Sequence, residues 1–355
     1  MANGKETQKV NSQNETWIDI AKAVCIVGVV LLHVVGYAYD NDFLYESCRF
    51  VVALFILIGG YNAIASYDRR GKFLLPKKLK SILLPYVVAT VICCVWEQRF
   101  FDLKTILDAL IHFNAVSPMY YVAAYVQLLI VTPVLIGVIH WCDKGTGLGK
   151  AVRYIVVWAV VLCICYLSTH YTNILDIEIG GGDLFAGIWL LFWFAGMCLW
   201  NLRMAGFCLR YKYSVAAVST ALLIIWHYVF VKRSYAIGLT PILDGEKVDL
   251  TWAHALEVLI LFFFFVSVVA VMKSIPKDPF RYVLKWVGYI GKHSFDIYLY
   301  HILFRNIYRD YLDFGGYAGK IVCLLFVIGV PILFRSLLKF LEKGISGLLS
   351  DISFA

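Results

Sequence analysis

Residues 17–38 read WIDIAKAVCIVGVVLLHVVGYA, apolar enough to cross a bilayer yet carrying Lys22 near the start and His33 well inside. On a helix of about 3.6 residues per turn and 1.5 Å rise, a spacing of eleven puts both side chains on one face, about 16 Å apart along the axis. An ionisable group at bilayer depth is costly and normally faces a cavity or a partner, so its presence points to function. His33 is also the residue type best suited to proton transfer near neutrality. Taken alone, His33 equally fits a hydrogen bond to a neighbouring helix, and Lys22 a cation reaching back to the membrane boundary. Asp19, one turn before Lys22, can pair with it.

The rest of the 355-residue chain has the same character. It is 61% hydrophobic and 16% charged, with a mean hydropathy of +0.76. Soluble domains average about 45–50% apolar and about 25% charged, so the expected class is an all-α, polytopic integral membrane protein. Candidate spans of about 20 residues are 17–38, 43–66, 79–97, 118–140, 151–168, 184–202, 212–231, 252–273, 288–309 and 318–341. That makes ten helices within a membrane domain of 17–342, preceded by a polar, disordered segment 1–16 and followed by a tail, 343–355. The net charge of +8 does not imply a nucleic-acid partner, because the basic residues gather in alternate short loops. Segments 67–80, 141–153, 202–212 and 273–287 are basic. The connections around Asp40 and Asp42 and over 169–183 lack lysine and arginine, and 231–251 is mixed. The positive-inside rule then puts both termini in the cytoplasm, in a multi-pass protein of the cell membrane, bacterial in character. Between the third and fourth spans, Leu103, Ile106, Leu107, Leu110 and Ile111 form the stripe of a short amphipathic helix on the outer surface. The ten cysteines read as small buried apolar residues. No cluster of ligands has metal spacing, and no metal site is expected.

Three further groups carry chemistry. Lys77, Lys78 and Lys80 lie where the cytoplasmic loop enters the third span, and Lys77 and Lys80 would meet on one helix face. Such a cluster can hold phosphates as point charges, although topology alone also accounts for it. In the ninth span, Ser294, Tyr298, His301 and Arg305 follow spacings of four, three and four, a continuous polar stripe that needs a polar surrounding or a seam with another helix. The fourth span opens with Ser117, Pro118, Met119, Tyr120 and Tyr121 and carries Gln127 two turns on, a set that fits a cavity lining or an interfacial aromatic belt.

Together these motifs resemble the membrane acyltransferase-3 family, integral membrane O-acyltransferases of glycans. Lys22 and His33 match its Arg/Lys-x10-His signature, the lysines running into Pro85-Tyr86 match its basic cluster on the third helix, and SFDIYLYH is similar to its late S-x-x-I-Y-L-x-H segment. Arginine is frequent in the family where this chain has Lys22, Lys77 and Lys80. The resemblance implies an acyltransferase moving acetyl, or another short acyl group, from cytoplasmic acyl-CoA to a hydroxyl of an extracytoplasmic or lipid-linked glycan. Lys77, Lys78 and Lys80 would bind the CoA phosphates. His33 would be the general base, or the carrier of a covalent acyl group, with Lys22 beside the reaction path. Ser294, Tyr298 or His301 would donate to the oxyanion. Asp19, Tyr120, Tyr121, Gln127, Ser294 and Arg305 would line the acceptor cavity. Acyl-CoA, the saccharide and membrane lipids are the expected partners. An exporter of polysaccharide or lipid-linked sugar competes with this reading, since it too needs many spans and polar intrusions.

Overall fold

The computed structural model describes residues 2–34, 47–97, 102–170, 185–232, 252–276 and 278–352. The expected loop residues around Asp40 and Asp42, most of 169–183 and nearly all of 231–251 lie outside these. Every regular element among the described residues is helical. In chain order they are α1 (Ala2–Val34), α2 (Phe50–Arg70), α3 (Leu75–Trp96), α4 (Leu103–His112), α5 (Tyr120–Asp143), α6 (Gly147–His170), α7 (Leu190–Asn201), α8 (Met204–Arg210), α9 (Lys212–Trp226), α10 (Trp252–Ser274), α11 (Asp278–Lys292), α12 (Ser294–Tyr311) and α13 (Gly316–Ile352). Short 3-10 turns, Ser117–Met119 and Ala186–Trp189, lead into α5 and α7, and a π-helical turn, His227–Lys232, continues α9.

Eight helices among the described residues are long and apolar enough to cross a membrane, or nine if α7, with its lead-in turn, and α8 form one span bent by 58°. The chain is therefore a polytopic α-helical membrane protein. Two expectations change. The span drawn over 288–309 is cut at His293 into α11 and α12, and neither half meets that measure of length and apolarity. The segment 273–287, expected as a loop, is mostly helix α11, because Leu284, Val287 and Ile290 recur at helical spacing and pack inward. Its other face exposes Tyr282 and Trp286. Nine of the ten cysteines are buried as expected, but Cys163 is exposed on α6, where it would face lipid.

Within a bilayer no hydrophobic force separates helix from lipid, so close packing holds the bundle together, and small residues mark where helices nearly touch. A methyl group on Gly196 of α7 would sit 1.9 Å from the Leu57 carbonyl oxygen of α2, and one on Gly291 of α11 would sit 1.7 Å from that of Asp19. Neither crossing could form with any larger residue.

Polar contacts then collect at one end. There Lys273 donates to Thr16 (2.7 Å), Trp200 to Asp68 (2.7 Å) and Asn201 to Asp143 (2.9 Å), while Lys212 reaches Ser274. This is the end carrying the basic segments, hereafter the basic end; α1, α3 and α12 run from it toward the far end. At the far end α4 lies against α3, where the Tyr86 hydroxyl donates to the carbonyls of Ala109 and Leu110 (3.1 and 3.0 Å). Ile106 and Ala109 face inward and Leu103, Leu107 and Ile111 outward, the two-sided pattern expected of an interfacial helix.

Candidate active site

A cavity runs along the inside of the bundle between α1, α2, α3, α5 and α12, with about 780 Å³ of space, part of it open to the exterior. On α2 it extends from Val52 to Asn62, ten residues and therefore about 15 Å of helix. Toward the basic end its polar groups are Lys22, Asn62 and Ser294; toward the far end they are Tyr121, Tyr125 and Tyr298. Phe55, Phe295, Ile82 and several valines supply the apolar wall. It is a long, greasy slot with polar groups spaced along it.

The two polar stripes read from the sequence face this slot and continue past it. On α1, Lys22 and Val29 line the cavity and His33 follows one turn beyond Val29. On α12, Ser294 and Tyr298 line it and His301 follows one turn beyond Tyr298. The two imidazoles meet there, ring centroids 5.4 Å apart, with His301 also 5.9 Å from the Tyr298 ring. Tyr298 in turn packs on Tyr121 at 5.3 Å, and Tyr121 on Tyr125 at 5.7 Å. Arg305, one turn past His301, donates from Nη1 to the carbonyl oxygen of His33 (3.0 Å) and from Nη2 to Asn306 (2.9 Å). Arg305 thus fastens the last turn of α1 to α12 directly behind the histidine pair.

His301 is fully buried. Its Nδ1 lies 2.6 Å from the Tyr298 carbonyl oxygen, which can only accept, so in the neutral ring the proton sits on Nδ1 and Nε2 keeps its lone pair. That Nε2 is buried and has no hydrogen-bond partner among the described residues. The Tyr298 hydroxyl, also buried, comes near the main chain of Tyr121 without a hydrogen bond of normal geometry. A polar atom left in this state costs about 1–3 kcal/mol. Two such atoms, on rings whose centroids lie 5.9 Å apart at the end of a cavity, mark a place where the protein presents polar groups that its own side chains do not match.

The other expected site residues are spread along the bundle, and Asp19, Tyr120, Gln127 and Arg305 are not among the cavity residues. Asp19 stands at the basic end, 3.9 Å from Lys292. Lys77 and Lys80 are both exposed, whereas Lys78 is half-buried, lies over the Phe73 ring at 5.3 Å, and shares a helix face with the cavity residue Ile82. Arg69 and Arg70 of α2 lie close enough to bear on its charge. Tyr120 sits beside Tyr121 and Tyr298. Gln127 is not among the cavity residues: its carbonyl oxygen accepts from the Ala186 N–H (3.2 Å) and holds the turn leading into α7. Asn62 is a cavity residue that the sequence reading misses, although an amide side chain within the second apolar run is a visible signal. Among the described residues no group of three or more metal-ligating side chains occurs.

A model of the Acyl_transf_3 family, described as an acyltransferase domain, matches residues 15–338. The chain belongs to this acyltransferase-3 family. The match takes in every residue of the cavity and both histidines. It identifies a membrane acyltransferase, in agreement with the resemblance carried by Lys22, His33 and the SFDIYLYH segment. No curated protein and no solved structure matches the chain.

Proposed function

We propose that this acyltransferase moves a short acyl group, acetyl in the simplest case, from acyl-CoA to a hydroxyl of a glycan or lipid-linked saccharide on the far side of the membrane. The observation that carries the reading is the slot itself: it begins near a cationic mouth and ends one turn short of two facing histidines. The nucleotide phosphates of CoA would stay at the mouth, held by Lys78 with Lys77 and Lys80, and the pantetheine arm would lie along the apolar wall. Its amides find Asn62 and Ser294 on the way, and the thioester stops near Tyr298. Lys22 adds a positive charge along the same path.

His33 would be the general base. It removes the proton from the acceptor hydroxyl as that oxygen attacks the thioester carbon, and the Tyr298 hydroxyl donates to the oxyanion that forms. Collapse breaks the carbon–sulfur bond, the electron pair leaves on sulfur, and the ester departs on the far side. A buried hydroxyl and a buried imidazole nitrogen, neither hydrogen-bonded among the described residues, suit this chemistry better than they suit packing. Every step so written is carried by side chains of the protein.

The donor half of the reading is tested by titrating CoA into the purified protein calorimetrically at low ionic strength. Lys78→Ala should weaken binding by about tenfold or more, one lost phosphate contact of about 1.5 kcal/mol. The double change of Lys77 and Lys80 should do less, because both side chains are solvated. Equal CoA affinity in all three proteins would leave the lysines as topology signals only and overturn the donor assignment.

A further inference from the structure

A single general base employs one of the two histidines and leaves the other with an unmatched lone pair. We propose that His301 is a second proton carrier in the transfer, taking a proton from His33 and delivering it to the departing sulfur of the donor. This rests on the acyl-CoA reading of the cavity and goes beyond it by assigning the far end of the slot two proton-transfer stations instead of one.

The geometry favours this in three ways. First, the Tyr298 carbonyl holds the Nδ1 proton of His301 (2.6 Å), so the ring cannot turn to bring that proton elsewhere, and Nε2 is the nitrogen left to act. In the neutral ring Nε2 accepts a hydrogen bond and does not donate one, so His301 is unsuited to be the ground-state oxyanion donor expected from the sequence. Second, the nearest proton-bearing ring is His33, at 5.4 Å between centroids, a separation that a direct hydrogen bond or one bridging water spans. Third, His301 adjoins Tyr298, the last polar residue of the cavity and the point at which a thioester would stop. The titratable or charged groups facing His301 are His33 on α1 and Tyr298 and Arg305 on its own helix.

The proton balance closes. The hydroxyl oxygen bonds to the acyl carbon and its proton goes to His33. His33 gives a proton to Nε2 of His301, which becomes imidazolium while Nδ1–H stays on the Tyr298 carbonyl. The carbon–sulfur bond breaks with its electron pair on sulfur, and Nε2 releases its proton there, leaving the free thiol, the ester and both imidazoles neutral.

The test is thiol release from acetyl-CoA, with octyl glucoside as the hydroxyl acceptor, measured in mixtures of light and heavy water. A wild-type rate that curves downward with deuterium fraction reports two protons in flight. His301→Gln should then be slower by about 100-fold and give a straight line, with the KM for acetyl-CoA within about threefold of wild type. A straight line for the wild type, or a His301→Gln protein retaining more than a third of its rate, overturns the relay. The wild-type curve needs no variant, so a misfolded His301→Gln does not shelter the proposal. No thiol release by the wild type, with or without glycoside, defeats the acyl-CoA reading itself and the relay with it.

Discussion

Two polar clusters, one at each end of this bundle, are completed in opposite ways. At the basic end, the Asp143 carboxylate accepts from Tyr154 (3.0 Å) and Asn201 (2.9 Å) and pairs with Lys150 (2.9 Å). Three helices, α5, α6 and α7, converge on that one side chain, and each of its oxygens has a partner. At the far end, Nε2 of His301 and the hydroxyl of Tyr298 lie deep in the protein without one. A satisfied polar cluster can be accounted for by stability alone, since it offsets its own desolvation. An unsatisfied one lowers stability and needs another reason to persist. On the proposed function, the contrast separates residues that hold the helices together from residues that act on a substrate, and substitutions on either side of it can break it.

The largest effect should come from His33. His33→Gln keeps a hydrogen-bonding side chain but cannot take a proton, so transfer should fall by about 10²–10⁴ while CoA binding and melting temperature stay close to wild type. If His33 only packs, the order reverses: glutamine would restore activity and alanine would mainly lower the melting temperature. Tyr298→Phe comes next and cuts the comparison more finely. Removing a hydroxyl that has no proper partner should leave stability unchanged or slightly raised. Turnover should nevertheless drop by about 10²–10³, the loss typical of one oxyanion donor. A protein that melts lower with turnover intact would move Tyr298 to the structural side.

Much of the candidate site's face is legible in the amino-acid sequence. The spacing of Lys22 and His33 and the run Ser294, Tyr298, His301, Arg305 are periodicities of single helices, and local geometry carries them intact into the fold. Which helices complete the walls is not legible. Val52 and Asn62 come from α2, and nothing within that helix says that it faces α1. The cut at His293 is also hidden, because a polar segment of about 22 residues reads the same whether continuous or broken. Segment 273–287 reads as a loop because its positive charge outweighs its amphipathic period. The polarity of Gln127 suggests a place in the site, whereas its actual partner, the Ala186 N–H, lies 59 residues away in the chain.

Asp143→Ala should act on the other side of the divide. It removes an anchor shared by three helices, and because the carboxylate is partly exposed the loss should be modest, about 1–2 kcal/mol. That would read as a melting temperature lower by a few degrees. Thiol release per folded molecule should not change. A variant with normal stability and impaired release would break the rule that satisfied clusters are structural here.

The smallest effect is expected at Asp102, a satisfied polar group that is also fully exposed. It caps α4: its carboxylate accepts from the Thr105 hydroxyl and from the Lys104 N–H (3.0 Å). The Thr105 hydrogen bond, helped by the main-chain N–H groups of Lys104 and Thr105 and by the Lys104 charge, holds the carboxyl below its ordinary value of 3.8 against the opposing effect of desolvation. The sign follows from that depression. The cap contributes fully above the ordinary value and is lost as pH falls through the lower, folded value. Hydrogen exchange of the first turn of α4 should therefore quicken, relative to the rest of that helix, only at pH below 3.8, and Asp102→Asn should show the weaker cap already at neutral pH. The Tyr86 hydrogen bonds to Ala109 and Leu110 carry no titrating group in this range, so the last turn of α4 should stay protected. Loosening of both turns together in acid would mean that α4 is held as one unit by the cap, and that even an exposed, satisfied group at the far end does more than close a helix.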